Sequence, residues 1–200
     1  MKRYKSEHYS SASRKLKIIR SALECFNKNG FTQTSIGDIC KKSKTSVGSV
    51  YHHFKSKEQL AAAVYLEGIR QYQQGFIVVL EKCKSAKEGI ENIIRFHLDW
   101  VHNNKEWSRY LFQNRYAEFM MSAEDDFEKL NEESFSRIAN WFRNHIASGN
   151  IRKLPPDLYS CIIMGPCQEY TRLFLSGKTL TNEDNASSVI FSAVWRALGL

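Results

Sequence analysis

Between Ser43 and Leu60 the chain reads Ser-Lys-Thr-Ser-Val-Gly-Ser-Val-Tyr-His-His-Phe-Lys-Ser-Lys-Glu-Gln-Leu, with Glu58 as its one acid. Hydroxyls, imidazoles and ammonium groups crowd this run. Such groups donate hydrogen bonds to anionic oxygens and reach base edges, while small residues let a backbone approach closely. The run has the chemistry that a helix entering a DNA groove requires.

Other chemistries lack their residues. The chain has no Gly-rich phosphate loop, no GxSxG, no HExxH and no paired acids in a plausible cleft, so no catalytic residue is assigned and an enzyme is not expected. His52 and His53 are adjacent, and neighbours on a helix point in different directions, so no metal site is expected there. No cofactor is implied. Five cysteines form no CxxC pair, which suits a reduced, cytoplasmic compartment. No apolar run approaches the roughly 18 residues of a membrane span, and the basic start lacks the apolar core of a signal peptide.

Charge is unevenly placed. Residues 1–60 hold 13 Lys and Arg against 4 Asp and Glu, whereas the remaining 140 are almost balanced at 16 against 17. A basic end on a neutral body indicates a module for a polyanion.

Helical periodicity runs through the chain and no alternating strand pattern interrupts it, so the fold class is all-α, with about nine helices. Residues 1–12 are expected to form a mobile arm. A helix from Ser13 carries Leu16, Ile19, Leu23 and Phe26 on one face and ends at Asn29-Gly30. Ser35 and Asp38 form a capping box for a short helix. Ser43-Lys44-Thr45 is a turn, and Ser46 caps the next helix, whose inner side is Val47, Val50 and Phe54. Ser56, with Gln59, starts a long helix to about Leu80. Further helices are expected around Ile90–Val101, Trp107–Met121 and Phe127–Phe142, the last stopping at Gly149 with Ser122 as its cap. Pro155-Pro156 opens another, kinked at Pro166, and Thr181 or Asn182 starts the last.

Three short helices with a tight turn between the last two make a helix-turn-helix. Gly30-Phe31, Thr34-Ser35-Ile36, Asp38-Ile39, Ser46, Gly48, Tyr51, Phe54, Lys57, Glu58 and Leu60 together resemble the signature of the TetR (TetR/AcrR) family of bacterial transcriptional regulators. The resemblance covers residues 14–60. It implies an N-terminal arm and helix-turn-helix domain over 1–58, and a helical regulatory and dimerisation domain over 59–200. Within the first, Ser46 caps the recognition helix and Gly48 allows close approach. Val47 and Ser49 are the expected base readers, and Thr34 or Ser35 touches phosphate from the preceding helix. Lys44 and Thr45 contact the duplex from the turn. The resemblance assigns phosphate contacts to Tyr51, His52 and Lys57. One departure stands out: relatives usually carry glycine where this chain has Lys44. Either the turn is reshaped, or Lys44 accepts a left-handed conformation at roughly 1 kcal/mol and adds a phosphate contact.

For the second domain the resemblance implies a pocket for a small-molecule inducer. Its candidate lining is Trp100, Tyr110, Phe119, Trp141 and Met164, with His97, His145 and Gln168 as polar anchors, suited to an apolar or flat ligand. The resemblance further implies a homodimer through the last two helices that reads an inverted-repeat operator in double-stranded DNA, and a repressor that the inducer releases. A constitutive helix-turn-helix regulator without an inducer is the alternative.

Overall fold

A computed structural model describes the backbone of residues 2–200 and the side chains of 11–200 apart from Ser122. Among these residues there are nine α-helices, one 3₁₀ turn and no strand. An isolated antiparallel bridge joins Ile151 to Gly199. The helices are α1 (Lys2–Gln33), α2 (Ile36–Ser43), α3 (Val47–His53), α4 (Lys57–Lys82), α5 (Ala86–Asn103), α6 (Lys105–Gln113), α7 (Glu124–Ala147), α8 (Pro156–Leu175) and α9 (Glu183–Leu198).

The helix expected from Ser13 begins at Lys2 instead, so the backbone of the expected arm is helical from that residue. No glycine or proline precedes Gly30, and once a helix is nucleated each added residue gains a hydrogen bond. The side chains of that arm lie outside the described residues. Gly30 breaks the helical path at φ 78°, ψ 165°, a conformation open mainly to glycine. The helix expected over Trp107–Met121 is split: α6 ends at Gln113, and a 3₁₀ turn follows over Glu118–Ala123. The side chain of Ser122, the expected cap of α7, is outside the described set. Asn182 caps α9 by accepting from the Asn185 amide. Pro166 lies within α8, which is helical on both sides of it.

The chain divides into two compact units, residues 1–69 with 106–127 and residues 70–105 with 128–200. The first extends past residue 58, because the start of α4 and the 106–127 segment share its core. Ile18, Ile39, Val50, Leu60 and Val64 are fully buried there. Tyr110 stacks 6.0 Å from Phe26 and its hydroxyl donates to the Ala61 carbonyl at 3.0 Å. A side chain at Gly68 would collide with Trp107, so the indole needs that glycine. In the second unit α5 packs against α8 and α9, around a core that includes Leu80, Ile90, Ile94, Ile163, Val194 and Leu198.

Candidate nucleic-acid interface

α2 is held at both ends by local chemistry. Ser35 accepts from the Asp38 amide at 3.1 Å, and the Asp38 carboxylate accepts from the Ser35 amide at 3.0 Å and from its hydroxyl at 2.6 Å. Those bonds to the ionised form hold the Asp38 carboxyl below the usual carboxylate range. At the other end Lys44 adopts the left-handed conformation, φ 53°, ψ 44°, and is the only described non-glycine residue with positive φ. Its amide and that of Thr45 both turn back to the Cys40 carbonyl. Beneath the turn, buried Ser43 donates to the Ile39 carbonyl at 2.7 Å and pairs with the Thr45 hydroxyl at 2.6 Å. Of the two sequence alternatives, strain at Lys44 is therefore the one adopted. The residue is exposed, so its charge points to solvent rather than into the fold.

α3 starts at Ser46, whose hydroxyl accepts from the Ser49 amide at 3.2 Å, the N-cap contact that a serine before a helix supplies. Val50 and Phe54 are buried and anchor the helix. The opposite side stays open. Val47 and Tyr51 are each 50% exposed, His52 is exposed, and a Cβ built on Gly48 would meet nothing within 4 Å. Val47 was expected on the inner side as well as among the base readers, and its exposure places it on the outer face. Ser49 and Thr45 are half-buried. On a seven-residue helix, one buried stripe and one bare face exhaust the surface.

Two expected contacts are committed elsewhere. Thr34 is 1% exposed, and its hydroxyl donates to the Gly30 carbonyl at 2.7 Å and the Cys25 carbonyl at 3.2 Å. It caps the broken end of α1 and has no hydroxyl left to offer a phosphate. Lys57 reaches back 26 residues: its ammonium donates to the carbonyls of Phe31 at 3.0 Å, Thr34 at 3.1 Å and Thr32 at 3.4 Å. It also lies 4.5 Å from the Phe31 ring centre. Three acceptors use all three ammonium protons, so Lys57 fastens the start of α4 to the end of α1. This contact pairs residues distant in sequence and carries no local signal.

α1 also contributes to this face, through contacts that no local spacing signals. Lys15 lies 5.7 Å from the Phe54 ring centre. His53 is half-buried, and burial, then His52, Lys15 and Arg14, hold its imidazolium below the ordinary histidine range. Basic side chains from α1 thus join those of α3.

Residues 18–64 match the family described as "Bacterial regulatory proteins, tetR family". Over that segment the chain is similar to the TetR family. Among TetR-family relatives, QacR of Staphylococcus aureus is 38% identical over 72 residues, 36% of this chain and 38% of that protein. UidR of Escherichia coli is 43% identical over 78 residues, 39% of this chain and 40% of that one. The matched stretch thus spans about two fifths of each of these relatives. The fold likeness runs further. A TetR-family regulator from Marinobacter aquaeolei covers 96% of this chain and 98% of its own at TM-score 0.78 and 19% identity. FadR of Bacillus subtilis, solved with stearoyl-CoA, covers 90% and 96% at TM-score 0.77 and 18% identity. At such identities the likeness is one of fold.

The expected ligand set does not assemble as one group. Tyr110 and Phe119 belong to the first unit, where Phe119 packs 5.3 Å from Phe31. They were grouped with the others because aromatic residues at helical spacing look alike whether they serve a core or a pocket. Gln168 is exposed on α8. In the second unit His97 is buried between Tyr72, whose hydroxyl is 2.8 Å from Nδ1, and Thr171, whose Oγ1 is 3.0 Å from Nε2. The Thr171 hydroxyl itself donates to the Cys167 carbonyl at 2.9 Å. The bonds then run one way: Tyr72 donates to Nδ1, and Nε2–H donates to Thr171, which makes His97 the neutral Nε2–H tautomer. Burial lowers its pKa to about 4. Half-buried Trp100 lies 5.2 Å from the Tyr72 ring. The Trp141 and His145 rings meet at a tilt, 4.3 Å between centres, and half-buried Met164 packs on the core. No group of His, Cys, Asp and Glu suited to a metal occurs among the described residues.

Proposed function

We propose that this chain is a homodimeric, ligand-responsive DNA-binding repressor, working in the cytoplasm on an inverted-repeat operator. The observation that carries the reading is the divided character of α3: Val50 and Phe54 fix it, while Val47, Gly48, Tyr51 and His52 face outward. Val47 and Ser49 read base edges, and Gly48 keeps the helix close. Ser35, Lys44, Thr45, Ser46, Tyr51 and His52 meet the phosphates. Support comes from the concentration of positive charge in residues 1–60 and from the family match over 18–64. No described helix is long and apolar enough to cross a membrane. The chemistry asked of the site is recognition, and it acts as a regulator rather than an enzyme.

Dimerisation runs through α8 and α9. Leu158 is 38% exposed and Val189 69% exposed on these helices, and a Cβ at Gly165 would meet open space, so a second copy has apolar surface to cover. A two-fold pair sets two α3 helices roughly 34–36 Å apart, one turn of DNA. The inducer is a small, largely apolar or aromatic molecule bound in the second unit near His97, Trp100, Trp141, His145 and Met164. FadR, of the same fold, was solved with a long-chain acyl thioester.

A constitutive regulator is the second reading, favoured by one feature: both ring nitrogens of His97 already have partners. Anisotropy titration of labelled genomic fragments at about 50 and 200 mM salt tests DNA binding. Expected is a loss of about a thousandfold at the higher salt, as roughly six phosphate contacts require. Absent or salt-insensitive association overturns the reading. Thermal shift against acyl and aromatic compounds separates the two regulator types, because a ligand of the folded state raises the melting temperature.

A further inference from the structure

The adjacent histidines at the end of α3 are left over once capping, packing and base reading are assigned. Their rings meet edge to face, 5.1 Å between centres, and His53 contacts Phe54 in turn at 6.2 Å. His52 is exposed and His53 half-buried. The charged groups acting on His53 come from two elements. His52 is on its own helix and Arg14 and Lys15 are on α1, so among the described residues all are bases. Lys15 also sits over the Phe54 ring, at the foot of the same cluster. No carboxylate among them shares the pair's protons.

We propose that DNA binding by this helix-turn-helix takes up protons at the His52–His53 pair, so that affinity rises as pH falls through the near-neutral range. The inference rests on the DNA-binding reading above and adds a control of that site. In the free protein a proton on His53 adds positive charge to a crowd of cations and is partly desolvated. A phosphate backbone drawn against α3 reverses the sign of the field. Imidazolium then gains a charge-assisted N–H to a phosphate oxygen, and neighbouring cations no longer repel it unopposed. A group that is neutral in the free state and charged in the complex links affinity to pH, by at most tenfold per pH unit for each proton taken up. The same protonation adds a cation to the contact, so the dependence of affinity on salt steepens at low pH.

The test uses the full chain and a fluorescein-labelled random duplex of about 30 base pairs, so no operator need be known. The expected result is binding about tenfold tighter at pH 6 than at pH 7.5, with a steeper salt slope at the lower pH. In H52Q/H53Q both differences shrink to a small residue. The single variant H52Q changes only an exposed side chain and keeps the test open if the double variant folds poorly. It should lose a clear part of the pH effect while its circular dichroism is unchanged. Calorimetry of the unaltered protein in buffers of differing ionisation heat measures proton uptake directly, and a positive uptake is expected. Binding that is flat with pH, zero uptake, or an undiminished pH effect in the double variant overturns this inference and leaves DNA binding standing. No association at either pH overturns both.

Discussion

Both compact units set histidines among aromatic rings, with opposite results. On α3, exposed His52 and half-buried His53 lie among bases, and nothing described in the protein accepts from their ring nitrogens. In the second unit His97 is 8% exposed, and both its nitrogens are bound within a chain from Tyr72 to Thr171 to the Cys167 carbonyl. His52 is open to water. A proton arriving at His97 places charge in a dry core and sets a second N–H against a Tyr72 hydroxyl that was donating. The same residue type is thus a surface group free to respond in one unit and a fixed strut in the other. The difference lies in whether the neighbours can reorganise.

The sharpest way to break that contrast is acid. His97 takes up its proton only near pH 4 in the folded chain, against about 6.5 when unfolded. Between those values the unfolded state holds more protons, so stability is complete above about pH 6.5 and falls as pH drops toward 4. The loss attributable to His97 reaches about 3 kcal/mol. Urea denaturation across this range measures it. H97Q can accept from Tyr72 and donate to Thr171 but cannot gain a proton, so its stability should change less with pH. An identical pH dependence in H97Q would show that His97 is not the group responsible.

A smaller effect is expected at Lys57. K57M keeps the apolar stem and strips the ammonium from three carbonyls, at a cost of about 2 kcal/mol. If Lys57 served phosphate alone, the variant would keep its melting temperature and lose only DNA affinity. Ser46→Ala removes the amide partner at the start of α3 and costs about 1 kcal/mol, measured by thermal unfolding. Lys44→Gly runs the other way. It relieves the left-handed strain, and any gain stays below about 1 kcal/mol because glycine also loses more chain entropy. The same change weakens duplex binding if the exposed charge meets phosphate. Smallest in stability is Tyr51→Ala, within about 0.5 kcal/mol because half the ring is already in water. Its effect is expected in anisotropy against DNA, where affinity falls at unchanged melting temperature.

Much of the first unit was legible because its devices are local. The Ser35–Asp38 box, the Ser46 cap and the strained Lys44 each involve partners within five residues, so spacing alone exposes them. Thr34 and Lys57 were misread for the opposite reason. Their types suit phosphate, but their hydroxyl and ammonium groups close onto carbonyls that only the returning chain supplies. Tyr110 and Phe119, expected with the ligand set of the second domain, lie in the first unit instead. Periodicity shows that an aromatic ring faces inward without showing which interior receives it.

Residue order alone determined the helical class, the capped turn between α2 and α3, the bare side of the short helix and the excess of positive charge around it. These follow from rotamer preference, backbone bonding and charge within a few residues. Tertiary structure decided which polar groups remained available. It closed Lys57 and Thr34 onto the end of α1, sealed His97 between Tyr72 and Thr171, and brought Arg14 and Lys15 beside His53. For Thr34, Lys57 and His97 the reason is the same: a donor drawn out of water must find its acceptor wherever the chain folds back, and that distance is not written in sequence spacing.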